Sequence, residues 1–193
     1  IGVRLVGSEM CIRDRWCNYT KQTYRNRCHI AGANGLLALS VPIVKPNTIK
    51  CPTKDIRISD HGEWRHLHWN AIASAYGSSP FFEYYQDDIR PFFEKRYEFL
   101  LDFNEEIRRT VCNLIGLEPH IEYSSSYSEP APGETDLRDA IHPKRRKAET
   151  ILPVQPKPYY QVFSEKYGFQ PDLSIIDLLM NMGPESILIL QNT

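Results

Sequence analysis

The chain has 193 residues, a hydrophobic fraction of 41% and a formal net charge of −1. These values are typical of one globular domain with a real core, and the near-neutral charge excludes a strong general attraction to nucleic acid or to an anionic membrane. No apolar run approaches the roughly 20 residues of a membrane span, so we expect no membrane insertion. The five cysteines include no C-x-x-C pair, which favours reduced thiols in a cytoplasm over a disulfide framework.

The first segment, Ile1–Arg15, lacks an initiating methionine and joins awkwardly to the residues that follow it. Its run VGSEMCIRDR resembles translated sequencing-adapter sequence, which would be excluded from fold reasoning. The alternative is a native β-strand around Val3–Val6. We expect a non-native leader over residues 1–15, a single domain over residues 16–193, and a missing native N-terminal segment.

A polar segment followed by an apolar one predicts a β-hairpin. Tyr19–Ile30 alternates loosely between polar and apolar residues, and Leu36–Val41 predicts a largely buried partner strand that stops at Pro42. Asn34 and Gly35 form a strong two-residue hairpin signal, because both positions tolerate positive φ.

Basic side chains recur in the first predicted strand. Because alternate residues of a strand share a face, Lys21, Thr23, Arg25 and Arg27 would line one side, with successive members about 6–7 Å apart. With Asn26 from the same run, they suit the binding of a phosphate group or another anion. The alternative is a solvated sheet edge that its charges protect against aggregation. The sequence leaves both possibilities open.

Helical periodicity follows a further short strand predicted at Lys54–Ser59. Glu63–Tyr76 predicts an amphipathic helix, and a long helix is predicted from about residue 87 to residue 115, just before Gly116. Together these elements predict an α+β fold, in which a small mixed β-sheet around the hairpin is packed by several helices. A three-layer α/β arrangement is the alternative.

Two later segments carry polar signals. Lys144–Lys147 is a basic run, but a single short run on a near-neutral protein is usually a solvated face, so we expect no nucleic-acid partner. Ser174 and Asp177 have the spacing of a capping box before an apolar helix, with Asp in place of the usual Glu.

Candidate catalytic residues are few. His68 is the best available general base, because an unperturbed imidazole titrates near neutral pH. Its place on the apolar stripe of the predicted helix nevertheless favours a packed, hydrogen-bonded histidine over a catalytic one. Asp136 is the second candidate catalytic group, and Arg138 and Asp177 could complete a substrate site with the basic row. No metal site and no known catalytic or cofactor-binding motif is evident, so the cofactor is unknown.

Several motifs together resemble the WbqC-like protein family of bacteria. The residues that carry the resemblance are Lys21–Cys28, Asn34 and Gly35, Leu39–Pro42, Lys54–Ile58, Trp64, His68 and Trp69, Ala75 and Tyr76, Ser79–Phe82, Asp136–Arg138, Pro158–Phe163, Leu173–Leu179, Asn181, Gly183 and Pro184. They extend from about Tyr19 to the end of the chain. Members of the family open with a strand and a turn rich in Tyr, Phe and Pro, which Ile1–Arg15 replaces here.

The resemblance implies a function in surface-polysaccharide biosynthesis, because the family is known mostly from polysaccharide and lipopolysaccharide O-antigen gene clusters. It implies a cytoplasmic group-transfer enzyme acting on a nucleotide-activated or amino sugar, whose partner is that nucleotide sugar or another sugar precursor. A non-catalytic binding or assembly protein of the same pathway is the alternative. The resemblance assigns no catalytic residue, and the oligomeric state stays open.

Overall fold

The computed structural model describes residues 11–48, 50–131, 136, 138 and 157–191. Its strands are β1 (Cys11–Arg13), β2 (Arg27–Gly32), β3 (Gly35–Ser40) and β4 (Ile121–Tyr123). Its helices are α1 (Trp64–Tyr76), α2 (Phe82–Ile89), α3 (Leu100–Ile115), α4 (Ser164–Tyr167), α5 (Ile175–Met182) and α6 (Ser186–Gln191). The predicted α+β class is confirmed.

The strands form two separate two-stranded ladders, β1 parallel to β4 and β2 antiparallel to β3. The predicted hairpin is present, but its turn lies one residue earlier than expected. Gly32 pairs with Gly35, so Ala33 and Asn34 form the turn. Gly35 has φ of 100° and Asn34 does not have positive φ. This geometry fits a type I turn followed by a left-handed glycine better than the predicted pair of positive-φ residues.

Neither hairpin strand matches its prediction fully. The first begins at Arg27, because residues 21–26 form turns that include Gln22 at φ 58°. The buried Thr23 hydroxyl donates to the Thr20 carbonyl oxygen at 2.9 Å, which satisfies it inside the turns. The predicted burial of the second strand is wrong for its first half, because Leu36 and Leu37 are 60% and 41% exposed.

The predicted long helix is divided in two. α2 ends at Ile89, a 3₁₀ turn spans Arg90–Phe93, and α3 begins at Leu100. Pro91 lacks a backbone N–H and disfavours helical backbone angles at the residue before it, so the helix is interrupted here. The apolar side chains nevertheless continue the helical spacing across the interruption.

The interruption between α2 and α3 is also fixed by pairing with the segment predicted as a strand at Lys54–Ser59. Ile58 N donates to Glu98 O and Leu100 N donates to Ile56 O, both at 2.9 Å. Residues 53–55 form a 3₁₀ turn, so that segment contributes isolated bridges rather than a strand. Ile56 and Ile58 are buried, as their alternation predicted.

The core consists of two apolar clusters that share Phe93 and Ile107 at their boundary. The larger cluster joins the hairpin to α1, α2, α3 and α5, and includes Ile30, Leu39, Ile72, Ile89, Val111, Leu179 and Met180. The smaller cluster lies at the start of α3 and includes Val41, Ile56, Ile58, Trp64, Phe92, Tyr97 and Phe103.

A buried carboxylate contacts the larger cluster. Asp177, on α5 and 1% exposed, accepts from the Tyr76 hydroxyl at 2.9 Å, the Tyr159 hydroxyl at 2.7 Å and Gln161 Nε2 at 3.1 Å. Burial raises the pKa of Asp177, while these hydrogen bonds act in the opposite direction. Because three donors point at its two oxygens, the site is arranged for an acceptor-only carboxylate.

The same network fixes the segment that follows residue 156. Gln161 Nε2 also donates to Gln170 O, and Gln170 N donates to Gln161 Oε1, both at 2.9 Å. Ser174 caps α5 by accepting from Ile176 N, which confirms the N-cap. The carboxylate of the predicted capping box is engaged elsewhere, because Asp177 turns its oxygens to the tyrosines.

His68 lies on the buried side of α1, between the rings of Trp64 and Phe93, at centroid distances of 5.2 and 6.4 Å. It is packed, as the periodicity of the helix indicated, but it forms no hydrogen bond with a residue that the structure describes. Burial alone lowers its pKa to about 4. The imidazole is therefore neutral at physiological pH.

We predict that Asp177→Asn lowers the free energy of unfolding by about 2–4 kcal/mol, because the amide places donors against the hydroxyl and amide groups that Asp177 accepts from. Urea denaturation followed by circular dichroism measures the change. The matched control is Asp87→Asn at an exposed position of α2, where we expect a change within about 0.5 kcal/mol. Equal midpoints for both variants would show that the carboxylate does not hold the fold.

We predict that His68 makes the protein less stable as the pH falls from 6.5 toward 4. Its folded pKa of about 4 lies below the ordinary 6.5, so in this window the unfolded chain binds the proton that the folded chain does not. The contribution is complete above pH 6.5 and is lost as the pH falls. His68→Phe should flatten this part of the pH dependence in urea titrations, whereas Leu67→Ala, at a neighbouring position that is 60% exposed, should leave it unchanged. Identical pH slopes for His68→Phe and the parent protein would contradict the assignment.

Candidate functional site

The turns before β2 gather two of the predicted basic residues around Tyr19. Burial is the largest influence on the Tyr19 hydroxyl and raises its pKa, while Arg25 and Arg27 both lower it electrostatically. The two guanidinium groups thus both lower the pKa of one phenol. The predicted row of basic residues along a strand is wrong, because Arg25 lies in the turns. Lys21 is exposed and forms no ion pair within the described part of the chain.

Arg27 is the cation of this group with the least compensated charge. It is half-buried at the first position of β2, and its Nε donates to Ser40 Oγ across the hairpin at 2.9 Å. It forms no ion pair with any residue that the structure describes. A guanidinium held by one neutral hydroxyl keeps donors for an anion such as a phosphate.

Arg25 connects this surface to two further predicted residues. Its Nη2 donates to the Arg138 carbonyl oxygen at 3.3 Å. Arg138 in turn forms an ion pair with Asp136 at 3.4 Å and donates its backbone N–H to the same carboxylate at 2.9 Å. Arg138 also pairs with Asp14 at 2.9 Å. Arg25, Asp136 and Arg138 are therefore neighbours, and the Asp136 carboxylate is already engaged.

Two predicted binding residues hold the fold. Asn26 Nδ2 donates to Val41 O at 2.9 Å, and Val41 N returns a bond to Asn26 O at 2.8 Å, which closes the base of the hairpin. Asp177 is the buried acceptor described above. Their contribution to substrate binding stays a prediction, and the structure gives each of them a structural role.

The two predicted catalytic residues do not meet. His68 contacts Trp64 and Phe93, and no contact among the described residues links it to Asp136 or Arg25. With its pKa lowered to about 4, His68 is also a weak base at neutral pH. Its catalytic role stays a prediction.

A second histidine, not predicted as a site residue, lies beside Arg27. His29 follows Arg27 by two positions on β2, so the two side chains leave the same face of the strand. The Tyr24 hydroxyl approaches His29 Nδ1 at 3.4 Å, with the rings edge to face at 5.4 Å. Burial and then Arg27 lower the pKa of His29. Extending the alternation of Arg25 and Arg27 by one step would have identified it.

An open cleft of about 520 Å³ contains none of the predicted residues. Three arginines line it, Arg65, Arg90 and Arg96. Arg90 pairs with Glu94 and Arg65 with Asp60, each at 2.6 Å, and Arg96 lies 3.7 Å from Asp60. Each arginine of this cleft therefore has a carboxylate partner, whereas Arg27 has none among the described residues.

Two features are absent from the described residues, a metal-binding cluster and a membrane-spanning helix. Within ranges 11–48, 50–131 and 157–191, no three His, Cys, Asp or Glu side chains are grouped so that they could hold a metal ion. Over the same residues, every helix is too short or too polar to cross a bilayer.

The profile of the WbqC-like protein family matches residues 8–160 of the chain. The match begins inside the segment predicted to be a leader, and the non-native origin of residues 1–15 stays a prediction. The chain is also similar to Rv1507c, an uncharacterized protein of Mycobacterium tuberculosis, with 25% identity over 190 residues that cover 87% of this chain and 81% of that protein. No solved structure matches. Because the family profile spans most of its length, the chain belongs to the WbqC-like protein family.

Proposed function

We propose that the protein binds a nucleotide-activated or amino sugar and catalyses a group transfer in the biosynthesis of a bacterial surface polysaccharide of the O-antigen or lipopolysaccharide type. Membership in the WbqC-like family suggests a role in polysaccharide-related biosynthesis. The substrate class and the reaction are the proposal. We place the reaction in the cytoplasm, where nucleotide sugars are made.

The observation that supports this proposal is the Arg27 guanidinium, which has no ion-pair partner among the described residues and acts with Arg25 on Tyr19. A nucleotide sugar carries a diphosphate, whose oxygens accept charge-assisted hydrogen bonds from guanidinium groups in paired geometry. Tyr19 adds a hydroxyl next to both cations. The surface also contains two groups that can exchange a proton, Tyr19 and His29. A site that only binds a counter-ion does not need such groups.

A non-catalytic binding protein of the same pathway is the second candidate. It is favoured by the environment of His68, which packs between Trp64 and Phe93 and forms no contact with Asp136 among the described residues. The two candidates differ in turnover: a binding protein retains UDP-N-acetylglucosamine unchanged in the presence of glucosamine, whereas a transferase releases UDP. UDP release above the rate of a heat-denatured sample excludes the binding-only function.

We predict that Arg27→Gln weakens the binding of UDP-N-acetylglucosamine and of UDP by roughly ten- to a hundredfold, because hydrogen bonds to charged groups contribute about 1.5–3 kcal/mol. Isothermal titration calorimetry at fixed ionic strength measures both affinities. Arg25→Gln should weaken binding in the same direction.

The matched control is Arg57→Gln, which removes an exposed arginine paired with Glu98 at 3.2 Å on another surface. We expect its affinity for UDP to equal that of the parent protein. If Arg27→Gln and Arg57→Gln bind UDP equally well, the diphosphate does not lie at Arg27 and the proposed site is wrong.

A further inference from the structure

The side chains near Arg27 include a histidine with a hydroxyl at one ring nitrogen. His29 lies on the same strand face as Arg27, and the Tyr24 hydroxyl lies 3.4 Å from its Nδ1. The loop before α5 is bound to the strand, because Ser174 N donates to the His29 carbonyl oxygen at 2.7 Å. Asp172, in that loop, acts electrostatically on Tyr24.

Asp172 has a conformation that non-glycine residues rarely adopt. Its φ is 62°, in the left-handed region, and its side chain is exposed. Backbone conformations of this kind cost free energy and occur preferentially at functional sites. Here the conformation accompanies a carboxylate that acts electrostatically on Tyr24.

We infer that His29 is the proton acceptor of the site, with Nε2 as the accepting atom, and that Tyr24 and Asp172 position it. This inference rests on the proposed function for its substrate. Burial and then the charge of Asp172 raise the pKa of Tyr24, and the Tyr24 oxygen, 3.4 Å from Nδ1, is placed to accept from Nδ1–H. A histidine protonated at Nδ1 has a free lone pair at Nε2. His29 Nε2 forms no hydrogen bond with a described residue.

The step that this arrangement allows is balanced in atoms and electrons. The hydroxyl or amine of the acceptor loses its proton to His29 Nε2, while its oxygen or nitrogen bonds to the transferred group. The bond from that group to the nucleoside diphosphate breaks, and the diphosphate leaves with the bonding electron pair beside Arg27. A general base and a cation that stabilises the leaving group thus lie on one strand face.

The charged environment of His29 is consistent with this role. The groups that act on it are Arg27 on its own strand, Tyr24 from the preceding turn and, through Tyr24, Asp172 from the loop before α5. Burial and then Arg27 lower the pKa of His29, which favours the neutral imidazole, the form that accepts a proton. A bound diphosphate would offset Arg27, and the affinity of His29 for a proton would then rise during the reaction.

The test is long-range ¹H–¹⁵N NMR of the histidine rings in the full chain, with His29→Gln used to assign the signals. We expect His29 to carry its proton on Nδ1, whereas free histidine favours Nε2. Tyr24→Phe should shift His29 toward the Nε2–H form, and Asp172→Asn should shift it in the same direction by less. Tyr160→Phe, at a tyrosine 54% exposed, is the matched control and should change nothing.

A titration with UDP separates this inference from the proposed function. If both hold, UDP raises the pKa of His29 in the parent protein, and Arg27→Gln abolishes that response. A His29 ring that carries its proton on Nε2, or whose tautomer does not respond to Tyr24→Phe, overturns the inference whatever the protein binds. A Tyr24-dependent Nδ1–H tautomer without any response to UDP supports the position of His29 and overturns the nucleotide-sugar function instead.

Discussion

The arrangement of this protein depends on a buried carboxylate that has no cationic partner among the described residues. Asp177 is compensated by three neutral donors, Tyr76, Tyr159 and Gln161, which come from α1 and from the segment before α4. An unpaired buried charge costs several kcal/mol, so the folded state requires all three donors to be in place at once. This requirement selects one arrangement of α1, α5 and the segment before α4. Apolar packing alone would tolerate several arrangements.

The hydrogen bonds of Asp177 also affect the position of the candidate site, through the start of α5. Asp177 lies in the first turn of α5, which Ser174 caps. Ser174 N donates a hydrogen bond to the His29 carbonyl oxygen. The loop that carries Asp172 lies directly before this cap. The position of the titratable groups around Arg27 is therefore determined by a network in the core, and a site on turns and one strand end acquires the rigidity that orienting a proton acceptor needs.

The sequence identified elements whose signals are local, and it failed where tertiary contacts override local preference. The hairpin, α1 and the cap at Ser174 follow from turn chemistry, 3.6-residue periodicity and side-chain capping, all of which act within a few residues. The division of the predicted helix has two causes: Pro91 is a local stop signal that the prediction overlooked, whereas the extended segment after it is stabilised by bonds to Ile56 and Ile58, some forty positions away. The basic residues were recognised by type, and Asp172 could not be associated with His29 before the fold was known.

The contrast between His68 and His29 shows why residue type alone does not locate a catalytic base. Both imidazoles are partly buried and both have a lowered pKa. His68 lies between Trp64 and Phe93, no described residue forms a hydrogen bond with its ring nitrogens, and burial makes it a weak base. His29 has the Tyr24 hydroxyl 3.4 Å from Nδ1 and Arg27 on its strand face. Its partners, and not its exposure, make His29 the better candidate, because proton transfer needs a defined lone pair as well as an accessible pKa.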